Sequence, residues 1–507
     1  YDEVMKSKDK LEWIQAILEE TESLRDHNVY EEVDFENQRC IETKWVFTEK
    51  KDENGLVARR KARLVAKGFT QRFGIDFGET YAPVCEKNSL RVMLTLAAVQ
   101  NWNVHHLDIK TAFLNGDLDE EVYVKPPQPL RKEGKIWKLK KSLYGLKQSP
   151  RNWNKFLNDI LINNGFRVSK TEPCMYFKPD CMLLIYVDDI LVSSSSMETV
   201  QSVKNMLSNL VEVHDLHEVK KFLNINITKK DGMFLLDQED YIMELAKLFG
   251  QKDCHKVNQP LPSGIGELAK MKKEPNCSRP IRNLLGALLY ISNVTRPDIA
   301  ASVSLLSRFV EQPSELLWRS LCQVLRYLIS TSDRKLCLGK KSDKIIELYV
   351  DSDFASDASC RKSQSGYILK FYGSSVLWAS KKQATISLSS SEAEYIALAS
   401  GISAALGIVN LLKEMGINID RPVPVFEDNQ PCISMAETGT KVKHIDVKYH
   451  FIRELVERNI IKLHYISTQD QIADALTKAN PKGRFELWQN RLGLLTPGQG
   501  EVSGVVT

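Results

Sequence analysis

The sequence predicts a multidomain protein of mixed α+β and α/β architecture. Three observations carry that expectation. At 507 residues the chain is too long for one ordinary core, and length alone suggests roughly three domains. Strand-like apolar runs alternate with stretches of helical periodicity along its whole length. A Pro-, Gly- and Lys-rich connector, KVNQPLPSGIGELAKMKKEPNCSRP at 256–280, separates the first half from a helical region and a second strand-rich unit. The apolar fraction of 43% and charged fraction of 26% are those of a globular chain rather than a disordered one. Net charge is +4, so attraction for nucleic acid must come from local patches. Ten cysteines without a C-x-x-C argue against a zinc finger or disulfide framework and fit a reducing compartment. No signal peptide is visible, and no apolar run approaches the ~18 residues that span a bilayer. The sequons at Asn226, Asn276 and Asn293 therefore read as chance matches. The opening Tyr1 in place of a methionine suggests a piece of something longer.

Residues 8–25 read as a helix, with Leu11, Ile14, Ile17, Leu18 and Leu24 at helical spacing among charged residues. KWVFTEK, the turn KDENG and VARRKARLVAKG form a hairpin pattern over 44–67. A helix follows at 88–101, then VHHLDIKTAF as a strand running into a turn. PRNWNKFLNDILINNG is a helix over 150–165, with Pro150 at its start and Gly165 beyond its end. CMYF and MLLIYV flank KPDC and read as paired strands that carry Asp188 and Asp189 to a turn. Beyond the connector come helices at 281–292, 296–310 and 314–330. The next unit opens at KIIELYVDSDF and alternates through GYILKFYGSSVLWASKKQ. It continues as a helix at 390–414, a strand at 423–427, a helix near 443–458 and the strand IKLHYIS. The terminal TPGQGEVSGVVT reads as a disordered tail.

Charge placement singles out three carboxylates in the first half. Asp108 lies in HLDIKTAF, and Asp188 and Asp189 interrupt LLIYVDDILVSSS. An alternating strand sends neighbouring side chains to opposite faces, and an unpaired buried carboxylate is costly. Such a pair therefore sits at a turn, in water, or against a cation. Two strands side by side would bring Asp108 to the pair and make a divalent-metal site of the kind phosphoryl transfer uses. Magnesium suits it, being hard and oxygen-liganded. A bare Asp-Asp dipeptide is more often a solvated turn, but the apolar flanks and Asp108 weigh against that. The second half repeats the theme. Asp351 closes IIELYV, Glu394 sits in the helix SSSEAEYIALAS, Asp428 follows VPVFE, and Asp474 opens a helix in IADALTK. In that order they suggest a second two-metal, phosphodiester-cleaving centre.

KWVFTEKKDENG, KARLVAKGFTQ, GIDFGETYAPV, LDIKTAFLNGDLDEEVYVKPP, KSLYGLKQSPRNW and YVDDILV resemble the reverse transcriptase of copia-type LTR retrotransposons. TRPDI, LRYL, YVDSDFASD, RKSQSGYI, SSSEAEYIAL, EDNQPCI, KHIDVKYHFIREL and DQIADALTK resemble that family's connection and ribonuclease H regions. The resemblance covers about residues 10–494, in family order. It implies a right-hand polymerase of fingers, palm and thumb/connection, followed by a ribonuclease H-like mixed-sheet domain. The implied boundaries are 1–27 for an N-terminal helix leading into the fingers, 28–256 for fingers and palm and 257–343 for thumb and connection. Residues 344–480 would be ribonuclease H-like and 481–507 a C-terminal tail.

By the same resemblance Asp108, Asp188 and Asp189 are the palm carboxylates, with Asp189 mainly an electrostatic support. Phe113 matches the aromatic steric gate that would clash with a 2′-OH; its plainer role is core packing. Tyr144 and Gly145 match the loop beneath nucleotide and template, glycine permitting close backbone approach. Lys61 and Arg63 match a basic fingers strand that would grip the triphosphate, or they line a solvated edge. RKEGKIWKLKKSLYGLK holds seven basic residues and one acid, with Trp137 and Tyr144 interleaved. That makes Lys138, Lys140, Lys141 and Lys147 candidates for nucleic-acid contact, unless they merely keep a surface hairpin soluble. Asp351, Glu394, Asp428 and Asp474 match the four ribonuclease H carboxylates. The implied cofactor is magnesium, two ions per centre, with manganese as an alternative. The implied partners are an RNA template, a DNA primer and product, the RNA–DNA hybrid and deoxynucleoside triphosphates, with no membrane. Integrase, protease and Gag portions would lie elsewhere in a polyprotein. The implied setting is intracellular, a cytoplasmic particle with delivery of product to the nucleus.

Asn224 in KKFLNINI stands where the family usually has glycine, in a strand associated with primer positioning, and Phe354 stands where tryptophan is commoner. His444 and His450 suggest zinc only superficially, because Ile445, Tyr449, Ile452 and Val456 make a helical stripe. GIGELA at 264–269 follows a Pro-rich connector rather than a strand, so it is not a dinucleotide loop. No D-[ST]-G protease motif or zinc knuckle is present in the sequence. The alternative to an active enzyme is a silent or co-opted remnant that binds nucleic acid without chemistry. A DNA-templated polymerase fits less well, since a fused ribonuclease H presupposes hybrid products.

Overall fold

The first long helix forms over Lys10–Asp26, and the face it buries keeps Ile17 and Leu24 of the predicted stripe but not Leu11 or Leu18. Trp13, Ala16, Ile17, Glu20, Thr21 and Leu24 are buried, whereas Leu11 is 81% and Leu18 56% exposed. Trp13 sets the rotation, because its large aromatic area outweighs two leucines. Its ring meets Phe47 edge-on at 5.2 Å. Glu20 faces the same way, its Oε1 accepting the Leu64 amide at 3.1 Å.

The computed structural model describes residues 1–51, 57–261, 274, 277–340, 342–357, 359–419, 421–438, 446–478 and 482–496. The architecture is mixed α/β, with four sheets among the described residues. The chain divides into two units, Tyr1–Cys85 with His105–His217, and Glu86–Val104 with the chain from Glu218 onward.

In the first unit, strands Cys40–Lys51 and Val57–Ala66 pair antiparallel, as the hairpin pattern predicts. Most of the KDENG turn between them lies outside the described residues. They share a sheet with Tyr30–Asp34, Asp117–Lys125 and Lys135–Lys141. The other sheet runs in the order Val213–Glu218, Asn103–Ile109, Asp189–Ser194, Cys181–Tyr186, Met175–Lys178 and Arg167–Val168. Helices Ser149–Asn163 and Met197–Ser208 bury Trp153, Leu157, Val200 and Val203 in a core with Leu107, Ile185 and Ile190. The serine run after the aspartates has a local cause. Ser194 Oγ donates to the Asp180 carbonyl at 2.7 Å, and Ser196 caps the helix Met197–Ser208 by accepting the Thr199 amide at 3.1 Å.

In the second unit, helices Glu239–Leu248, Ile281–Val294, Ala300–Ser307 and Glu315–Ser330 share one apolar core. Arg296 and Asp298 of TRPDI pair inside the fold at 2.8 Å, and Asp298 also accepts Gln489 Nε2 at 3.2 Å and the Tyr327 hydroxyl. With its acceptors filled, such a buried pair is tolerated. Gln489 belongs to the helix Lys482–Arg491, and the strand Leu494–Leu495 pairs with Lys335–Leu338. The residues read from sequence as a tail are thus structured over 482–495, while 497–507 lie outside the described residues. Asn224 stands not within a strand but in a two-residue turn between Lys221–Phe222 and Ile225–Lys230, with φ of 50° at Leu223 and 59° at Asn224. Two successive positive φ values suit Gly or Asn, which accounts for asparagine here.

The last sheet is mixed. Its order is Ser374–Lys382, Gln364–Phe371, Ile346–Asp353, Val423–Glu427 and Ile461–Tyr465, with the final two joins parallel. Helix Ser390–Glu414 lies close on it at Gly401, where a Cβ would stand 2.9 Å from Val350 Cγ2. By length and composition that helix could cross a membrane, but 67% of its most apolar window is buried inside the protein, as in a core helix. Where the sequence predicts a helix opening at Asp474, the chain makes only the 3-10 turn Ile472–Leu476. Gln471 pins that turn to the sheet, its Nε2 donating to Val350 O at 2.8 Å.

Candidate active sites

Asp108 arrives on the strand Asn103–Ile109, and Asp188 and Asp189 stand at the tip of the hairpin Cys181–Tyr186 and Asp189–Ser194. Val187 at that tip has a φ of 57°, which a β-branched residue adopts only under constraint. The constraint is visible. Trp153 Nε1 donates to the Val187 carbonyl at 2.7 Å, and the Ile109 amide donates to the Asp188 carbonyl at 2.8 Å. The second bond ties the tip to the strand that bears Asp108. Asp189 turns to His106, with 2.8 Å between Oδ1 and Nε2. Burial pushes the Asp188 carboxyl above its ordinary range, and the charges of Asp189 and Asp108 push it further.

Phe113 meets Tyr144 edge-on at 5.0 Å, and the Arg63 guanidinium lies 4.5 Å over the Tyr144 ring. Phe113 also packs on the core beneath, as its plainer role requires. Burial raises the Tyr144 hydroxyl to about 12. Gly145 has a φ of 89°, and a Cβ there would lie 2.2 Å from the Ala66 carbonyl. The strand Val57–Ala66 and this loop are therefore in backbone contact, sealed by the Ala66 amide on the Tyr144 carbonyl at 2.7 Å. Between Asp108 and Phe113, Thr111 is held at φ 51°. Lys61 and Asp108 line one cavity of about 600 Å³, together with Arg59, Lys110, Thr111 and His27.

The second cluster is deeper. Asp351 on Ile346–Asp353, Glu394 on Ser390–Glu414 and Asp428 just past Val423–Glu427 each offer a carboxylate oxygen within 4.8 Å of the other two. Asp474 is 0% exposed and pairs with Lys478 at 2.5 Å. Thr477 Oγ1 donates to Asp351 Oδ2 at 2.6 Å. Burial, and then the charge on Asp474, raise Asp351 to about 7. Burial, and next the charge on Glu427, lift Glu394 well above the carboxylate range.

Glu427 is the buried acid that sequence reasoning missed, along with Thr477 and Lys478. EDN shows two acids in succession, but only the strand's parity turns Glu427 into the core, where it is 0% exposed. Glu394 Oε2 and Glu427 Oε2 are buried without a hydrogen-bond partner. Such orphaned, all-oxygen donors fit a hard divalent cation.

A family model described as reverse transcriptase (RNA-dependent DNA polymerase) matches residues 27–263, the span holding Asp108, Asp188 and Asp189. A protein assigned to transposon Ty5-1 of Saccharomyces cerevisiae is 35% identical over 57% of this chain and 97% of its own length. The Retrovirus-related Pol polyprotein from transposon TNT 1-94 of Nicotiana tabacum is 37% identical over 97% of this chain and 38% of its own length. The chain belongs to the copia-type retrotransposon Pol family. A further Pol relative, from transposon RE1 of Arabidopsis thaliana, is 34% identical over 89% of this chain and 31% of its own length. The chain thus spans between 31% and 38% of the plant Pol polyproteins it matches.

Within the reverse transcriptase span, the remaining basic candidates are dispersed. Lys147 lies in the Tyr144–Gly145 loop, its Nζ 4.5 Å over Phe77. Lys138, Lys140 and Lys141 end the strand Lys135–Lys141, where Lys138 pairs with Glu121 and Lys140 with Glu31 at 2.9 Å. Arg59 and Arg60, near Lys61, pair with Glu19 and Asp9, each at 2.8 Å. In the second unit of this Pol chain, HIDVKYH enters the helix Asp446–Glu457 with Ile452 fully buried and His450 exposed. His444, Ile445, the Tyr449 side chain and the GIGELA stretch lie outside the described residues.

Proposed function

We propose that this Pol chain copies RNA into DNA at Asp108, Asp188 and Asp189, and cuts the RNA strand of the resulting hybrid at Asp351, Glu394, Asp428 and Asp474. One observation carries the first half of that reading. The Ile109 amide holds the Asp188 carbonyl at 2.8 Å, so two motifs far apart in sequence form a single rigid carboxylate site. On this reading the sheet bearing Asp108 is the palm, the Cys40–Lys51 and Val57–Ala66 hairpin belongs to the fingers, and the helices of 257–343 form thumb and connection. Residues 344–480 then form the ribonuclease H-like domain.

Magnesium, or manganese in its place, would be held by Asp108 and Asp188 in the first centre and by Asp351, Glu394, Asp428 and Asp474 in the second. When bound, such ions activate the attacking oxygen and stabilise the leaving one. The remaining work falls to the chain's own side chains. Asp189, committed to His106, shapes the field rather than coordinating. Lys61 and Arg63 offset the charge of a deoxynucleoside triphosphate. Phe113, braced by Tyr144, blocks a 2′-OH and so favours deoxynucleotides. The substrates are an RNA template and a DNA primer, with integrase, protease and Gag functions in other parts of the polyprotein. Primer extension on poly-rA/oligo-dT with magnesium, scored beside cleavage of a labelled hybrid, tests both halves. A folded sample that incorporates no deoxynucleotide would falsify the first and favour a silent remnant.

A further inference from the structure

The second carboxylate cluster is unevenly supplied with cations. Asp351, Glu394 and Asp428 each offer an oxygen within 4.8 Å of the other two, and among the described residues Asp474 is not a fourth member of that group. Glu394 Oε2 is buried without a hydrogen-bond partner, so the group of three is open to a cation. Asp474 already has one. Lys478 Nζ lies 2.5 Å from its Oδ1, and the charges of Asp351 and Asp353 also act on that ammonium. The scaffold around the pair is fixed. A Cβ on Gly366, the cross-strand partner of Asp351, would fall 2.7 Å from Thr477 Cγ2 and 2.9 Å from the Ala473 carbonyl. The turn Ile472–Leu476 is therefore seated directly on the sheet. Thr477 Oγ1 donates to Asp351 Oδ2 at 2.6 Å, and Gln471 Nε2 to the Val350 carbonyl at 2.8 Å. What can move is the Lys478 side chain, 43% exposed against 1% for that of Asp474.

Asp353 gives the ammonium a second berth. It lies two residues beyond Asp351 on the strand Ile346–Asp353, hence on the same face, and is half-buried. Lys478 is foremost among the charges acting on it, ahead of Asp474 and Arg308. A compact ammonium on a flexible stem suits exchange between two carboxylates. Two cations at one carboxylate repel each other, so an ion at Asp474 favours Lys478 at Asp353.

We propose that Lys478 is a resident cation that guards the second ion position of this cluster. One divalent ion enters at Asp351, Glu394 and Asp428, and a second reaches Asp474 only as the Lys478 ammonium moves to Asp353. This rests on the nuclease reading above and names what regulates ion entry at that site. The test counts manganese(II) bound to the full chain by electron paramagnetic resonance. It uses an Asp108→Asn, Asp188→Asn background, which removes the ligands of the first cluster. With Lys478 present, the second ion should bind about tenfold more weakly than the first. Lys478→Met should tighten the second ion by about tenfold, Lys478→Arg should leave it weak, and Asp353→Asn should weaken it further. Opposite signs for Lys478→Met and Asp353→Asn cannot come from a general loss of folding. An unchanged second ion in Lys478→Met overturns the proposal, as does a weakened one, which would make Lys478 a prop for Asp474. Equal tightening by Lys478→Arg would assign the effect to shape rather than charge and overturn it too. Hybrid cleavage by wild type against magnesium concentration is scored separately. Two bound ions and cleavage, with no response to the Lys478 variants, would sink the guard and leave the nuclease reading standing. Ion binding that responds to every variant as expected, in a folded wild type that never cleaves, would sink the nuclease reading alone.

Discussion

The two carboxylate clusters of this chain solve the same electrostatic problem differently. At the first, Asp108, Asp188 and Asp189 are only part-buried, Asp189 has His106 at 2.8 Å, and Arg63 lies close by over Tyr144. At the second, Asp351, Glu394, Glu427 and Asp474 are each no more than 6% exposed, and Lys478 is the cation that meets Asp474. The first cluster is held in place by backbone geometry and by the protein's own cations. The second stores mutual repulsion that protons or bound cations relieve.

The sharpest way to break that comparison is to disable one cluster and read both reactions. Asp188→Asn should lower DNA synthesis by about 10³-fold while leaving hybrid cleavage within about threefold, and Asp428→Asn should do the reverse. Loss of both reactions in either variant would mean the clusters are not separate centres. Next in size is a backbone test of the first cluster. Gly145→Ala must accept a φ of 89° and a Cβ 2.2 Å from a carbonyl, and should cost about 2–4 kcal/mol in urea unfolding. Wild-type stability would show that the clamp between the Tyr144 loop and the Val57–Ala66 strand is not tight.

Proton linkage sharpens the second cluster. Asp351 is raised to about 7 in the folded chain, so the folded state binds this proton more tightly than the unfolded one. Its ionisation therefore costs stability progressively as pH rises from about 4 to about 7, with no further loss above. In EDTA the melting temperature should fall across that window by a few degrees, and magnesium or Asp351→Asn should flatten the slope. A metal-free protein that gains stability toward neutral pH would contradict the stored-repulsion account. The smallest effect belongs to His106. His106→Ala should reduce synthesis by about tenfold through a misdirected Asp189, and His106→Gln should recover most of it, since an amide still donates to the carboxylate. Equal losses in both would assign His106 a packing role.

Much of this was legible in the sequence, though unevenly. Period-2 apolar runs and Pro/Gly punctuation placed the helix Ser149–Asn163, the hairpin at the aspartates and the helix Ser390–Glu414 within a residue or two. Asp351, Glu394 and Asp428 were named from their positions on strand, helix and strand end, and the fold brings them together. What stayed hidden depends on orientation. Whether Leu11 or Trp13 faces inward is decided by the strand beneath the helix, and whether Glu427 or Asp428 points inward by the register of one parallel pair. The strand Asp117–Lys125 was missed because its charged side chains disguise the alternation, and Lys135–Lys141, read as part of a surface hairpin, is one strand between Tyr30–Asp34 and Asp117–Lys125.

The helix Lys10–Asp26 lies ahead of the matched span 27–263, yet it is stitched into that span through Leu64, Arg59 and Arg60. A recombinant fragment trimmed to the family boundary would lose the cover of Ala16, Ile17 and Leu24 over the core they share with Leu64. It would also strip Arg59 of Glu19 and leave Arg60 with Glu49 alone of its three acidic partners, freeing positive charge to cling to any polyanion in the lysate. Poor yield and indiscriminate nucleic-acid retention by such a fragment would be artefacts of where it was cut.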